Sequence, residues 1–98
     1  MSKYYIKTNF GYKVVEGKKT RSGFGFHKTD DGKFTITDID SGLAVVSGIK
    51  SAAGCKKYIE DKANLKDVEE RKARRADYLK DVKNLKDHKK KNPLKDED

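Results

Sequence analysis

The stretch that decides the fold is "GFGFHKTDDGKFTITDI", residues 23–39. Two runs of aromatic and β-branched residues flank the turn formers Thr29-Asp30-Asp31-Gly32, in which Gly32 is free to take a positive φ. Alternation puts Phe24 and Phe26 on one face of the first run, and Phe34 and Ile36 on one face of the second. Paired as a hairpin, these four side chains make one apolar patch.

Working outward, the same grammar of short runs and glycine breaks extends over the first half of the chain. "KYYIKT" (3–8) and "YKVVE" (12–16), separated by "NFG", precede the central hairpin, and "LAVVSG" (43–48) follows it after the turn signal "DSG" (40–42). Residues 3–48 are therefore predicted to form an antiparallel sheet of four or five strands.

From residue 50 the composition changes to Lys, Glu, Asp, Arg, Ala and Leu, which favours helix. Ser51 is a predicted N-cap. Ala52, Cys55, Ile59 and Ala63 recur at spacings of three and four, with Tyr58 beside them, and predict a helix packed on the sheet. "LKDV" occurs at 65–68 and again at 79–82, two heptads apart, so Leu65, Val68, Leu79 and Val82 would share one seam of a long charged helix. Asp67–Arg71, Glu70–Arg74 and Asp87–Lys91 are i,i+4 pairs that would support it. Asn92-Pro93 ends it. The expected class is α+β: a core of residues 1–63, a long charged helix over 64–92 extending the same domain, and a flexible tail over 93–98.

The chain has 98 residues, of which 34% are hydrophobic and 41% charged, with 24 basic and 16 acidic side chains and a net charge of +8. That balance favours a polyanion or an acidic protein surface as partner. The single cysteine, Cys55, cannot form an internal disulfide, and no apolar run reaches signal-peptide or membrane-span length, so a cytoplasmic protein is expected.

Gly23-Phe24-Gly25-Phe26, with Arg21 before it and Lys28 after, resembles the RNP1 motif of RNA-recognition and cold-shock domains. The resemblance implies that Phe24 and Phe26 stack on bases. The residues by themselves predict instead that both rings are core, because a chain with four Phe and no Trp has few large apolar groups. "TDIDSGLAVVSGIKSAAGCKKYIED" (37–61) is similar in style to small accessory proteins of phages and mobile elements, some of which, as anti-CRISPR proteins do, disable host systems; the likeness transfers no functional residue.

The basic clusters are the remaining candidates. Arg71, Lys72, Arg74 and Arg75 lie around most of a helix, and Lys89, Lys90 and Lys91 follow further on. Such charges suit a phosphate-contacting rod, a docking helix for an acidic groove, or a solvated face with local ion pairs. Asp38, Asp40 and Gly42 lack the closing glutamate of a calcium loop, whose twelfth position is Ile49. There is no glycine-rich phosphate loop and no zinc spacing, so neither cofactor nor catalysis is expected. The sequence thus predicts a nucleic-acid-binding accessory protein. Its alternatives are an inhibitor of a host defence nuclease and a homodimer joined through Leu65, Val68, Leu79 and Val82.

Overall fold

The computed structural model describes residues 2–94. Five strands run in chain order across one antiparallel sheet: β1 (Ser2–Thr8), β2 (Gly11–Lys19), β3 (Phe24–Lys28), β4 (Phe34–Asp38) and β5 (Ala44–Ile49). Three helices follow, α1 (Ala52–Glu60), α2 (Lys62–Arg74) and α3 (Tyr78–Lys91). The architecture is α+β, with the central hairpin where the sequence puts it. Phe26 stands opposite Ile36, and Lys28 opposite Phe34. Asp31 accepts from the Lys33 amide at 3.1 Å, and Gly32 takes φ +81°.

The Phe24–Phe26 face of this hairpin carries the main core. Phe24, Phe26 and Ile36 form one cluster with Cys55, Ile59 and Val68, so α1 and α2 both close on it. Phe26 and Phe34 add an edge-on ring contact at 6.4 Å. Ser51 caps α1 as expected, accepting from the Gly54 amide at 3.0 Å.

The opposite face of β3 packs on the first hairpin. A Cβ on Gly25 would lie 2.9 Å from the Tyr4 ring and 2.7 Å from Ile39, so the second glycine of "GFGF" is required by Tyr4. Gly17 serves the same end where β2 leaves β1 for β3: a Cβ there would stand 2.2 Å from the Phe26 carbonyl oxygen. The Lys7 amide then donates to the Gly42 carbonyl at 2.8 Å, which brings β1 back to the β4–β5 turn and curls the sheet. Buried between the layers, the Tyr4 hydroxyl meets His27 Nδ1 at 3.3 Å. Burial raises the Tyr4 phenol pKa, and burial with the nearby Lys13 charge lowers that of the His27 imidazole.

The helical half departs from expectation. A single helix over 64–92 would span about 43 Å at 1.5 Å per residue, yet the longest extent of the molecule is 34 Å. The helical half has two breaks: the expected one between the first two helices, at Asp61 instead of 63–64, and an unexpected one within 64–92. Asp61 ends α1 and starts α2, its amide donating to Tyr58 O at 3.3 Å while its carboxylate accepts from the Ala63 amide at 2.9 Å. Ala63 therefore leaves the predicted α1 stripe and is exposed on α2. The second break, at 75–77, contains neither proline nor glycine. Side-chain contacts on both sides of it turn α3 back over the β1–β2 hairpin. The four-residue seam is therefore absent: Val68 is in the core with Leu65 packed against that core, Leu79 is 80% exposed, and Val82 is half-buried. The four residues named for a homodimer therefore do not share one face of one helix. Of the tail expected at 93–98, residues 95–98 lie outside the described residues.

Candidate functional site

The arginine cluster faces a cavity of about 280 Å³ where α2, α3 and the β4–β5 turn meet. Asp38, at the end of β4, forms its floor and is 3% exposed. Its carboxylate accepts from Ser41 Oγ at 2.6 Å and from the Tyr78 hydroxyl at 2.7 Å, and pairs with Lys72 Nζ at 3.1 Å. The Lys72 ammonium also lies over the rings of Phe24 and Tyr78, 5.3 and 5.5 Å from their centroids. A second buried carboxylate, Asp81 on α3, pairs with Lys7 and Arg75, each at 3.0 Å.

These networks fix charge. Burial by itself would raise the Asp38 carboxyl, but hydrogen bonds from Ser41, Tyr78 and Lys72 outweigh it and hold the pKa below the usual carboxylate value. Burial would likewise raise Asp81, and Lys7 and Arg75 reverse it. The Lys72 ammonium is opposed by burial, yet the bond to Asp38 raises its pKa. Burial and the Asp38 bond push the Tyr78 phenol up to about 12. All four groups keep their resting charge through the neutral range. The cluster therefore acts as a lock between α2, α3 and β4.

That lock takes up Lys72 and Arg75 of the arginine cluster, and the expected i,i+4 pairs take up Arg71 and Arg74 at the surface. Each of its four cations meets a carboxylate: Arg71 with Asp67 at 3.2 Å, Lys72 with Asp38, Arg74 with Glu70 at 3.4 Å, and Arg75 with Asp81. Arg71 also donates to the Val45 carbonyl at 3.3 Å. The Lys72 side chain is only 21% exposed, so it is a fastening and not an outward charge. Stacking by Phe24 and Phe26 is excluded in this fold, because each is 3% exposed beneath the helices and presents no open ring face. Arg21 and Lys28 are exposed at opposite ends of β3 and are not brought together.

No family model, curated protein or solved structure matches this chain.

Its outward chemistry lies on α3. Leu85 is fully buried beside Gly42, and His88 is wedged between Tyr5 and Tyr12 at ring distances of 4.6 and 4.7 Å, which fixes the inward side of the helix. The Tyr5 hydroxyl donates to the Asn92 carbonyl at 2.7 Å and fastens its end. Helical spacing then turns Lys83, Lys86 and Lys90 outward, flanked by Lys80 and Lys91, with Asp87 on the same side. Lys83, Lys86, Lys90 and Lys91 are exposed, and none makes an ion pair among the described residues. The expected Asp87–Lys91 pair does not form. Lys89 is half-buried, so Lys90 and Lys91 are the members of the expected C-terminal cluster that face solvent. Lys80, Lys83 and Lys86 were not among the predicted contacts. Their spacing opposite Leu85 carries the signal, but it becomes readable only once α3 is separated from α2.

No helix of the described residues is long and apolar enough to cross a membrane. Among the described residues no cluster of His, Cys, Asp or Glu has the makings of a metal site.

Proposed function

We propose that this is a non-enzymatic nucleic-acid-binding accessory protein that contacts phosphates through the outer face of α3. The observation that carries the reading is the contrast between two basic clusters: Arg71, Lys72, Arg74 and Arg75 are each matched by a carboxylate, whereas Lys83, Lys86 and Lys90 project from a docked helix without such partners. A rigid row of unneutralised lysines is what displaces counterions from a nucleic-acid backbone. The chemistry of the polar cavity supports a binding role too, because Asp38, Lys72 and Tyr78 keep one protonation state through the neutral range and offer no proton donor or acceptor tuned to it.

The test is an anisotropy titration of labelled oligonucleotides across a salt series. With about four phosphate contacts, single-strand affinity should fall about 50-fold between roughly 50 and 200 mM salt, and duplex affinity about 150-fold. A Lys83→Glu, Lys86→Glu, Lys90→Glu variant should weaken every sequence alike, and Arg74→Glu should do little. Binding that ignores salt, or that depends on Arg74 more than on the three lysines, would overturn the reading.

A further inference from the structure

The β1–β2 hairpin ends in a side chain that the fold does not use. Phe10 is 100% exposed, whereas Phe24 and Phe26 are core and Phe34 packs against them. The turn is held by polar groups: Thr8 Oγ1 donates to the Gly11 carbonyl at 3.0 Å and accepts from the Phe10 amide at 3.2 Å. Neither bond involves the ring, so the turn has no need of an aromatic residue at this position.

The surroundings of the ring indicate what it meets. Lys7 faces Tyr12 across the hairpin; Lys7 pairs with Asp81 of α3, and Tyr12 lies against His88 of α3. The turn Asn9–Phe10 begins two residues beyond Lys7, about 7 Å along an extended strand, so Phe10 lies next to the region where α3 crosses the hairpin. The exposed cation nearest the tip on the hairpin is Lys13, three residues beyond Phe10, and residues 2–15 contain no acidic side chain. An open ring in a positive field matches an anion that also presents flat apolar faces. Single-stranded nucleic acid has both, whereas a duplex keeps its base faces inside the stack.

We propose that Phe10 is a base-stacking residue for single-stranded nucleic acid whose phosphates lie along the α3 lysines, an assignment that rests on the nucleic-acid reading of α3. The ring supplies the sequence-tolerant contact and the lysines supply the charge.

The chain contains no tryptophan, so Phe10→Trp introduces a single indole reporter at the tip. Its emission should be quenched on saturation with oligothymidylate. Phe10→Ala should melt with the parent protein and bind the same oligonucleotide about 5- to 150-fold more weakly, the range that base–aromatic stacking commands. Its duplex affinity should be unchanged. Salt-dependent oligonucleotide binding with an unquenched indole and no effect of Phe10→Ala overturns the stacking role and leaves the α3 reading standing. No oligonucleotide binding at low salt overturns both. A blue-shifted indole on phosphatidylserine vesicles, without quenching by the oligonucleotide, assigns the ring to a lipid surface and overturns the proposal. A lowered melting temperature of Phe10→Ala makes the ring structural and does the same.

Discussion

The tetrapeptide Leu-Lys-Asp-Val occurs twice in this chain, and its two copies are used in opposite ways. In α2, Leu65 and Val68 turn inward onto Phe24 and Ile36, while Asp67 stays at the surface with Arg71. In α3, Leu79 is 80% exposed and Asp81 is buried between Lys7 and Arg75. The local sequence is identical, so what differs is the surface each helix lands on. The α2 copy meets an apolar sheet face and is held by burial. The α3 copy meets a hairpin bearing Lys7, Tyr5 and Tyr12 and is held largely by charge, hydrogen bonds and the single deep side chain Leu85. A repeat in sequence fixes a periodicity; the surface opposite it decides which residues are inside.

The strongest way to break this comparison is to attack the apolar side of it. Phe26→Ala, beneath the helices, should cost about 3–5 kcal/mol and Val68→Ala about 2 kcal/mol. Leu79→Ala, the positional equivalent of Leu65 in the second copy, should stay within about 0.5 kcal/mol. Urea denaturation of the three variants checks this. A Leu79→Ala effect as large as that of Val68→Ala would mean that both copies are held by burial.

The polar side is probed by the two aspartates. Asp81→Asn should cost about 1–2 kcal/mol, toward the lower end for a buried pair because Lys7 and Arg75 are half-exposed and can rehydrate. Asp67→Asn, on the exposed pair, should cost less than about 0.5 kcal/mol. Amide exchange sharpens the distinction: Asp81→Asn should release protection mainly in α3, leaving β3 and β4 as they were. Equal loss across sheet and helix would show that α3 is part of the cooperative core.

Acid should reproduce part of this without mutation. The Asp38 and Asp81 pKa values are lowered in the folded state, so their contribution is complete above the ordinary value of 3.8 and is lost as pH falls below it toward the folded values. The His27 pKa is also lowered, from 6.5, so the fold favours its neutral form; that contribution is present above pH 6.5 and declines below it. Stability should therefore fall in two stages. The first touches the sheet through His27, and the second loosens α3. A pH series of amide exchange checks the order. A loss of α3 protection already complete at pH 6 would put its anchor elsewhere.

The sheet was legible because its signals are local. Alternation around Phe24, Phe26, Phe34 and Ile36, and the turn at Thr29–Gly32, depend on neighbours two to ten residues apart. The Ser51 cap was legible for the same reason. The candidate site was less so. The lysines of α3 are visible as composition, but their common face depends on a helix break at 75–77 that no proline or glycine announces. Arg71 and Arg74 meet the carboxylates expected four residues before them, Asp67 and Glu70, whereas only the fold shows that Lys72 meets Asp38 and Arg75 meets Asp81. Phe10 is unremarkable in "NFG" until its burial is compared with that of the other three phenylalanines.

By itself the sequence determined an α+β protein with a five-strand limit, a central hairpin, a capped first helix and a strong positive charge, because strand alternation, turn chemistry, capping and composition act over a few residues. Tertiary structure alone decided that the expected rod over 64–92 is two helices, that Lys72 and Asp81 are fastenings, and that Gly25 is a seat for Tyr4. Those outcomes join residues 21 to 74 positions apart, Tyr4 with Gly25, Asp38 with Lys72 and Lys7 with Asp81. Their energies depend on which surfaces meet and how much water is excluded between them, which no short window of sequence contains.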